Sequence, residues 1–519
     1  MVITRSYNAA SDFVDRHLEE GRADKCAFID DTRELTYGQL AADCNRVANL
    51  LTARGVAREA RVGLIVLDTV DFPVIFWGAI KTGVIPVALN TLLTADQHHY
   101  ILEDSRVQVV FVSAALLPAV RPLLARLPAL TTVFVVGDWP ETTTARDLDI
   151  ESFHHALASQ SSEATPADTS ADEVAFWLYS SGSTGMPKGT RHVHSSAMTT
   201  ARLYGQAVLG IDEPDVVFSA AKLFFAYGLG NAMTFPRAAG ATAVLLAGRP
   251  TPAAVFDVLR TRQPSVFFGV PTLYAAMLAD TGSEAEPGSS RLRACVSAGE
   301  ALPAEVGLSW KARFGVDIYD GVGSTEMLHI FLSNTPGDVR YGVSGRAVPG
   351  YELRLLDQDG VEVGPDTVGE LLVRGPSAAD GYWNQRKKSR RTFEGEWTRT
   401  GDKFMRDGEG YYRYCGRTDD MFKVGGIWVS PFEVESAIVT HTAVLEAAVV
   451  PAEDREGLLK PKAFVVLKEG VSEEGLAEML KTRVKEQAGP WKYPRWVEFV
   501  EELPKTATGK VQRYKLRNS

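Results

Sequence analysis

The sequence predicts an α/β protein: a large N-terminal domain of two α/β sheet subdomains plus a β subdomain, then a small α+β C-terminal domain. Three observations carry that expectation. From Arg61 onward, apolar runs of strand length alternate with runs of helix length. After Gly342 the runs shorten and are separated by Gly, Asp and Pro. Near Gly416 the pattern changes again, and a capped helix start follows at Ser430. At 519 residues the chain exceeds one ordinary domain and can bury large cores.

In chain order, residues 62–67 read as a buried strand, 72–82 as a helix and 85–89 as a strand. Thr94 caps the next helix, and 107–112 is another strand. Val/Ile/Leu strands separated by helices imply a largely parallel sheet covered on both faces. Residues 159–172 are rich in Ser, Thr, Ala and Asp and form a loop or linker. The alternation resumes at 216–220, 242–246, 265–268 and 293–296, with a second polar loop at 281–290. Two α/β halves follow, as two sheets packed together. Residues 351–356 and 370–374 are short strands of an antiparallel β subdomain. Ser430, Pro431 and Glu433 supply a cap, a first-turn proline and a capping-box acid. Strands at 444–450, 463–467 and 497–500 and a helix near 472–487 complete a small α+β unit. The domains are therefore expected at 1–417 and 418–519.

Composition narrows the function classes. Hydrophobic residues are 45% and charged residues 23%, the balance of a globular protein in water. A net charge of -10 argues against nucleic acid as the main partner. Any anionic ligand must then be met by local cations and backbone donors. The four cysteines have neither metal-ligand nor C-x-x-C spacing, so a reducing, cytoplasmic compartment is expected. The N-terminus lacks the apolar core of a signal peptide. The most apolar region, 63–90, is interrupted by Asp68, Asp71 and Lys81, so no membrane span is expected.

The chemistry centres on residues 179–190, YSSGSTGMPKGT. Gly182, Gly185 and Gly189 let the backbone approach a ligand closely. Ser181, Ser183 and Thr184 add hydroxyls, and Lys188 adds a mobile cation. Such a loop suits a polyphosphate. The Walker A spacing is not met, because Pro187 interrupts it. A Ser/Gly-rich stretch is equally a flexible surface loop when seen alone.

Four further stretches follow in order: 297–303 (SAGEALP), 320–326 (DGVGSTE), Thr400-Gly401-Asp402 with 416–420 (GRTDD), and 503–513 (LPKTATGKVQR). Together with the glycine-rich loop they resemble the adenylate-forming superfamily of acyl-CoA synthetases, luciferases and peptide-synthetase adenylation domains. The resemblance covers nearly the whole chain. It implies ATP, Mg²⁺ and coenzyme A as cofactors and cosubstrates, and a C-terminal domain that rotates between two half-reactions. Ser181, Gly182, Ser183, Thr184, Gly185 and Lys188 would hold ATP phosphates. Gly299, Glu300 and Ala301 would line adenine, with Asp320, Gly321 and Val322 beside it. Val322 stands where many relatives have the tyrosine that stacks on the base. Thr325 would touch the α-phosphate, and Glu326 would hold the metal. Asp402 would bind ribose with Arg417 as its partner, and Asp419 matches the hinge. Lys510 would neutralise the acyl carboxylate and α-phosphate as they approach. Lys423, Gly425 and Gly426, in KVGGIW, would serve coenzyme A in the second step.

Residues 221–231 (AKLFFAYGLGN) and 323–331 (GSTEMLHIF) look like those of benzoate–CoA and 4-hydroxybenzoate–CoA ligases. Ala226, Tyr227, His329 and Ile330 match pocket positions there, and Ala298 and Ser324 fall in the same set. Tyr227, His329 and His194 are the polar groups expected near a ring hydroxyl. Core packing is the competing reading for Phe224. His192 and His194 have the H-x-H spacing of metal ligands, but no third ligand follows, so packing or acyl-pocket roles are preferred. Lys492 and Arg495 are either coenzyme A phosphate ligands or surface charges. The resemblance thus implies an aryl-CoA ligase for benzoate or a hydroxybenzoate, with a lean to 4-hydroxybenzoate. The alternative is an adenylation enzyme that loads an aryl acid onto a carrier protein. A non-catalytic protein on the same fold is disfavoured by Lys188, Glu326 and Lys510 occurring together. Partners are expected to be small molecules, the chain a monomer or homodimer, and Lys510 a target for an acetyltransferase and deacetylase.

Overall fold

The computed structural model describes residues 6–139, 143–145, 148–182, 185–280, 288–418, 420–424, 427–456, 458–505 and 511–517. The fold is mixed α/β, with two compact units: Met1–Glu352 with Val373–Thr398, and Leu353–Leu372 with Arg399–Ser519. Among the described residues no helix is long and apolar enough to cross a membrane. All four cysteines are free.

The first unit is built on two nine-stranded sheets. In one, Val174–Gly182, Ile85–Ala88, Arg61–Ile65, Val109–Ser113, Thr132–Val136 and Leu148–Ser152 run side by side and parallel. The strands Gly185–Val193 and Gly381–Tyr382 extend its other edge antiparallel. In the second sheet Ile318–Gly323, Ala294–Ser297, Val266–Gly269, Val216–Ser219, Thr242–Val244 and Cys26–Ile29 are parallel neighbours. The expected strands all form, each within a few residues of its expected bounds. Apolar residues on both faces explain why: Val109–Ser113 and Thr132–Val136 are buried along their whole length.

The helix Asp71–Lys81 is buried at every residue, and Gly78 lets it press against Val47 of the helix Tyr37–Ala53. Its two charges are satisfied internally. Lys81 Nζ donates to Asp15 at 2.7 Å, and Arg33 Nη2 donates to Asp71 at 2.5 Å. Thr94 caps the helix Ala95–Ser105 in a reciprocal box with Gln97.

In the second unit residues 402–406 pair antiparallel with Tyr412–Arg417. The unit also holds a three-stranded sheet of Val444–Glu453, Leu459–Leu467 and Trp496–Phe499. Ser430 accepts the Glu433 amide and starts the helix Pro431–Val439, while the Glu433 carboxylate turns to Lys492 instead of closing the expected capping box. The helix near 472–487 begins only at Leu476, because Ser472 accepts the Glu474 amide in a local turn and Gly475 is left-handed.

Candidate active site

The glycine-rich stretch is mostly strand. Val174–Gly182 continues into it and Gly185–Val193 returns from it, with Lys188 opposite Ser180 and Gly189 opposite Tyr179. Ser183 and Thr184 lie outside the described residues. Pro187 is tolerated because it falls at a register shift between Gly185 and Lys188. Tyr179 donates its hydroxyl to Asp104 at 2.6 Å and fixes the base of the hairpin.

Lys188 meets Glu326 there. Its ammonium lies 3.5 Å from Glu326 Oε1 and donates to the Tyr382 hydroxyl at 3.3 Å. Tyr382 in turn donates to Glu326 Oε1 at 2.7 Å. Burial pushes the Glu326 carboxyl up, but the Lys188 charge and the Tyr382 hydrogen bond outweigh it and hold it below the usual range. Glu326 is therefore an ionised carboxylate with a cation beside it. Tyr382 was not foreseen. It reaches the site because Gly381–Tyr382 pairs with the hairpin, Tyr382 opposite Thr190.

Thr325 and Glu326 sit in a tight turn after the strand Ile318–Gly323. Ser324 Oγ accepts the Met327 amide at 3.2 Å, and Thr325 O accepts the Leu328 amide at 3.1 Å. Leu328 is left-handed at φ 66°, a strained conformation for a γ-branched residue next to the two expected catalytic positions. Asp320, Gly321 and Val322 lie on the strand itself, with Asp320 paired to Ser297. The Asp320 carboxyl is buried, which raises its pKa well above the usual range, and its Oδ1 has no partner among the described residues. Ala298 is buried after the neighbouring strand, while Gly299 and Glu300 are exposed and Ala301 is half-buried. Asp320, the last residue of its strand paired in parallel, and residues 298–301 lie at or just beyond the carboxyl ends of parallel strands, where α/β sheets bind ligands.

The expected acyl residues gather at the same edge. Ala226 starts a short helical run and is half-buried. Tyr227 donates its hydroxyl toward Gly269 O and Val296 O, each at 3.2 Å, at the ends of two strands. That proton is committed to the protein, so toward a ligand the hydroxyl offers an acceptor. His329 is 2% exposed and packs against Phe235 at 4.4 Å and Tyr204 and Tyr227 at 5.6 Å. Its Nε2 is 3.0 Å from Asn231 Oδ1 and 3.3 Å from Tyr227 O, two acceptors, so Nε2 carries the proton. Nδ1 is then an acceptor, and it has no partner among the described residues. Burial lowers the His329 pKa to about 3, so the ring is neutral. Two glycines make the packing possible: a Cβ on Gly230 would stand 2.2 Å from His329 Cδ2, and one on Gly228 2.1 Å from Lys222 O. Ile330 is buried opposite Gly323. Phe224 is 4% exposed and packs on Phe225.

Asp68, read from sequence only as an interruption of an apolar run, supports this region. Its two carboxylate oxygens lie 3.3 and 3.2 Å from the Leu223 amide. Burial pushes its carboxyl up to about 7 against the Lys222 charge. The two expected histidines are placed differently. His192 is fully buried and stacks on Phe176, and burial lowers its pKa to about 4. His194 Nδ1 accepts the Ala9 amide at 3.1 Å, which makes it a tie to the N-terminal segment rather than a group left over for a ring hydroxyl. Among the described residues no group of three His, Cys, Asp or Glu could hold a metal.

In the second unit Asp402 and Arg417 are opposite one another across antiparallel strands, Nη1 to Oδ1 3.0 Å. Arg417 Nη1 also donates to Thr400 O at 3.2 Å. Lys423 lies on Phe422–Val424, which pairs antiparallel with Ile427–Val429. Lys492 is bound by both oxygens of Glu433 at 2.7 Å, and Arg495 stacks on Tyr493 at 3.7 Å. Asp419, Gly425, Gly426 and Lys510 lie outside the described residues.

Residues 14–383 match the AMP-binding enzyme family and residues 433–510 the AMP-binding enzyme C-terminal domain. A 4-hydroxybenzoate–CoA/benzoate–CoA ligase of Rhodopseudomonas palustris is 57% identical over 99% of this chain and 94% of its own. A benzoate–CoA ligase of Thauera aromatica is 57% identical over 100% and 97%. The crystal structure of a benzoate CoA ligase from Burkholderia xenovorans superposes with a TM-score of 0.89 at 50% identity, covering 98% of this chain and 100% of that one. An anthranilate CoA ligase solved with anthranoyl-AMP gives 0.94 at 43%, covering 99% and 98%. The order of the five motifs along the chain, the strand ends that carry them and these matches agree, and the chain belongs to the AMP-binding enzyme family, the adenylate-forming enzymes that its motifs resemble.

Proposed function

We propose that the protein is an ATP-dependent aryl-CoA ligase acting on benzoate and hydroxybenzoates, with 4-hydroxybenzoate preferred. The observation that carries the reading is the ionised Glu326 held by Lys188 and Tyr382 at the base of the glycine-rich hairpin. The two relatives at 57% identity support the aryl substrate. The unpartnered Nδ1 of His329 supports a ring hydroxyl, since a buried hydroxyl without a partner costs roughly 1–3 kcal/mol.

In the first half-reaction a carboxylate oxygen of the acid attacks the α-phosphorus of ATP. The bond to the β-phosphate oxygen breaks, giving the aryl-adenylate and pyrophosphate. Lys188 and Ser181, Gly182, Ser183, Thr184 and Gly185 of the glycine-rich stretch hold the phosphates. Thr325 meets the α-phosphate, Asp402 with Arg417 holds the ribose, and the Lys510 ammonium neutralises the approaching anions. Gly299, Glu300, Ala301 and residues 320–322 line the base. The residues present fit Mg²⁺: one ionised carboxylate, Glu326, suits an ion that keeps phosphate and water ligands. Bound there, the ion would supply charge neutralisation on the phosphate oxygens. In the second half-reaction the coenzyme A sulfur attacks the acyl carbon, the thiol proton leaves to solvent, and AMP departs. Residues 418–519 rotate about Asp419 between the two steps and bring Lys423, Gly425 and Gly426 to the thiol. These roles rest on the match of each residue to its motif. A reducing, cytoplasmic setting fits the free cysteines, and acetylation of Lys510 would remove its charge and stop adenylation.

The test is exchange of labelled pyrophosphate into ATP, followed by addition of coenzyme A. Exchange that requires an aryl acid, then one thioester per AMP, is the expected result. Exchange without thioester formation would assign the carrier-loading alternative, and no exchange would refute adenylation.

A further inference from the structure

The helix Arg386–Thr392 follows directly from the Tyr382 strand and carries five cations in seven residues: Arg386, Lys387, Lys388, Arg390 and Arg391. None of them forms an ion pair among the described residues, in a chain whose net charge is -10. Four of the five are exposed. Lys388 differs: with Gln385, Ser389 and Thr392 it makes the half-buried face of the helix, at i, i+3, i+4 and i+7. An amphipathic helix ordinarily turns apolar side chains to that face. Here the face carries Gln, Lys, Ser and Thr instead.

The face is fixed on the site. Ser389 Oγ accepts the Tyr382 amide at 3.0 Å, and the Tyr382 hydroxyl contacts both Glu326, at 2.7 Å, and Lys188, at 3.3 Å. Lys188 also lies 4.5 Å from the centre of the Tyr382 ring. Lys388 shares that half-buried face with Ser389, the residue that grips Tyr382, and its nearest charges are Lys188 and Glu326. The local charges are two lysines and one carboxylate, a net surplus of one positive charge before any metal arrives.

We propose that Lys388 is a further polyphosphate-binding residue, whose ammonium joins Lys188 in holding the β- and γ-phosphates of ATP and then the pyrophosphate product. The assignment deepens the ligase reading and rests on it. Burial first, and then the neighbouring Lys188 charge against that of Glu326, makes Lys388 easier to deprotonate than an ordinary lysine. An arriving polyphosphate reverses that influence and holds the proton on. The four exposed cations of the helix raise the local concentration of an anion at longer range.

Lys388→Met and Lys388→Arg test this in the full-length enzyme, with thermal midpoints measured to show that both fold. The reaction read is pyrophosphate–ATP exchange, together with KM for ATP, pyrophosphate, aryl acid and coenzyme A, and the Kd for AMP. Lys388→Met is expected to raise KM for ATP and for pyrophosphate about tenfold. AMP, which lacks both phosphates, should bind within about twofold of wild type, and Lys388→Arg should restore most of the loss. Unchanged KM for ATP and pyrophosphate would overturn the proposal. An equal loss of AMP affinity would overturn it too, because it would show a structural effect through Tyr382. A rise in KM for coenzyme A alone would overturn it by assigning the helix to that ligand's phosphates. Absence of any exchange in the wild type would refute the ligase reading itself, so the two failures are distinguishable.

Discussion

Tyr382 donates its hydroxyl to Glu326 Oε1 at 2.7 Å although 56 residues separate them, and the same hydroxyl accepts from Lys188. A phenol between a carboxylate and an ammonium sets the distance between the two charges. Tyr382→Phe removes that spacer and one charge-assisted hydrogen bond, worth about 1.5–3 kcal/mol. The expected outcome is a fall in kcat/KM for Mg·ATP of roughly tenfold or more, with KM for the acid little changed. An unaltered ATP parameter would show that Glu326 needs no help from Tyr382.

Gly230 permits the contact between its helix and the His329 ring. Gly230→Ala puts a methyl group where the ring stands, an overpacking that costs about 1–3 kcal/mol or displaces the ring. KM for the aryl acid should rise well above its wild-type value while KM for ATP moves little. Equal changes in both would mean that the His329 region is not the acyl site.

Asp68 is 5% exposed, and burial raises its pKa from an ordinary carboxylate value to about 7. The folded state therefore holds this proton more tightly than the unfolded chain. Its ionisation is a destabilising influence that is complete above pH 7 and fades as pH falls toward 4. Asp68→Asn keeps an oxygen for the Leu223 amide and removes the buried charge. Relative to this variant, wild type should gain on the order of 2 kcal/mol of stability between pH 8 and pH 5.5. Denaturant midpoints at the two pH values measure it, and parallel curves would contradict it.

The α/β alternation was legible because buried parallel strands are apolar on both faces and announce themselves locally, as at Val109–Ser113. Caps were legible for the same reason: Thr94 with Gln97, and Ser430 with Glu433, act over three residues. The glycine-rich stretch was legible as chemistry but not as a hairpin, since its glycines and Pro187 hide the strand signal. Tyr382 and Asp68 were missed because each acts through a contact made by tertiary pairing. Nothing within a few residues of Tyr382 points to Glu326; only its strand, set antiparallel to the hairpin, brings the two together. Asp68 read as a break in an apolar run, although the Leu223 amide is its reason for being buried.

Lys510→Ala is expected to separate the half-reactions. The motif that carries it implies a role only while the adenylate forms. Adenylation should fall about 10²-fold or more, and thioester formation from supplied aryl-adenylate should remain close to wild type. Single-turnover assays of each step measure this. Equal loss in both steps would contradict a domain rotation that withdraws the lysine.

Acetate forfeits the burial of a ring, worth about 25 cal/mol per Å² of apolar surface, and the aromatic cluster around His329 suits a flat aryl acid. The most direct measurement is kcat/KM for coenzyme A-dependent AMP release across acetate, benzoate, 2-, 3- and 4-hydroxybenzoate, cinnamate and dodecanoate. Benzoate and 4-hydroxybenzoate should lead, with 4-hydroxybenzoate ahead and acetate and dodecanoate far below. A clear preference for acetate or dodecanoate would contradict the account.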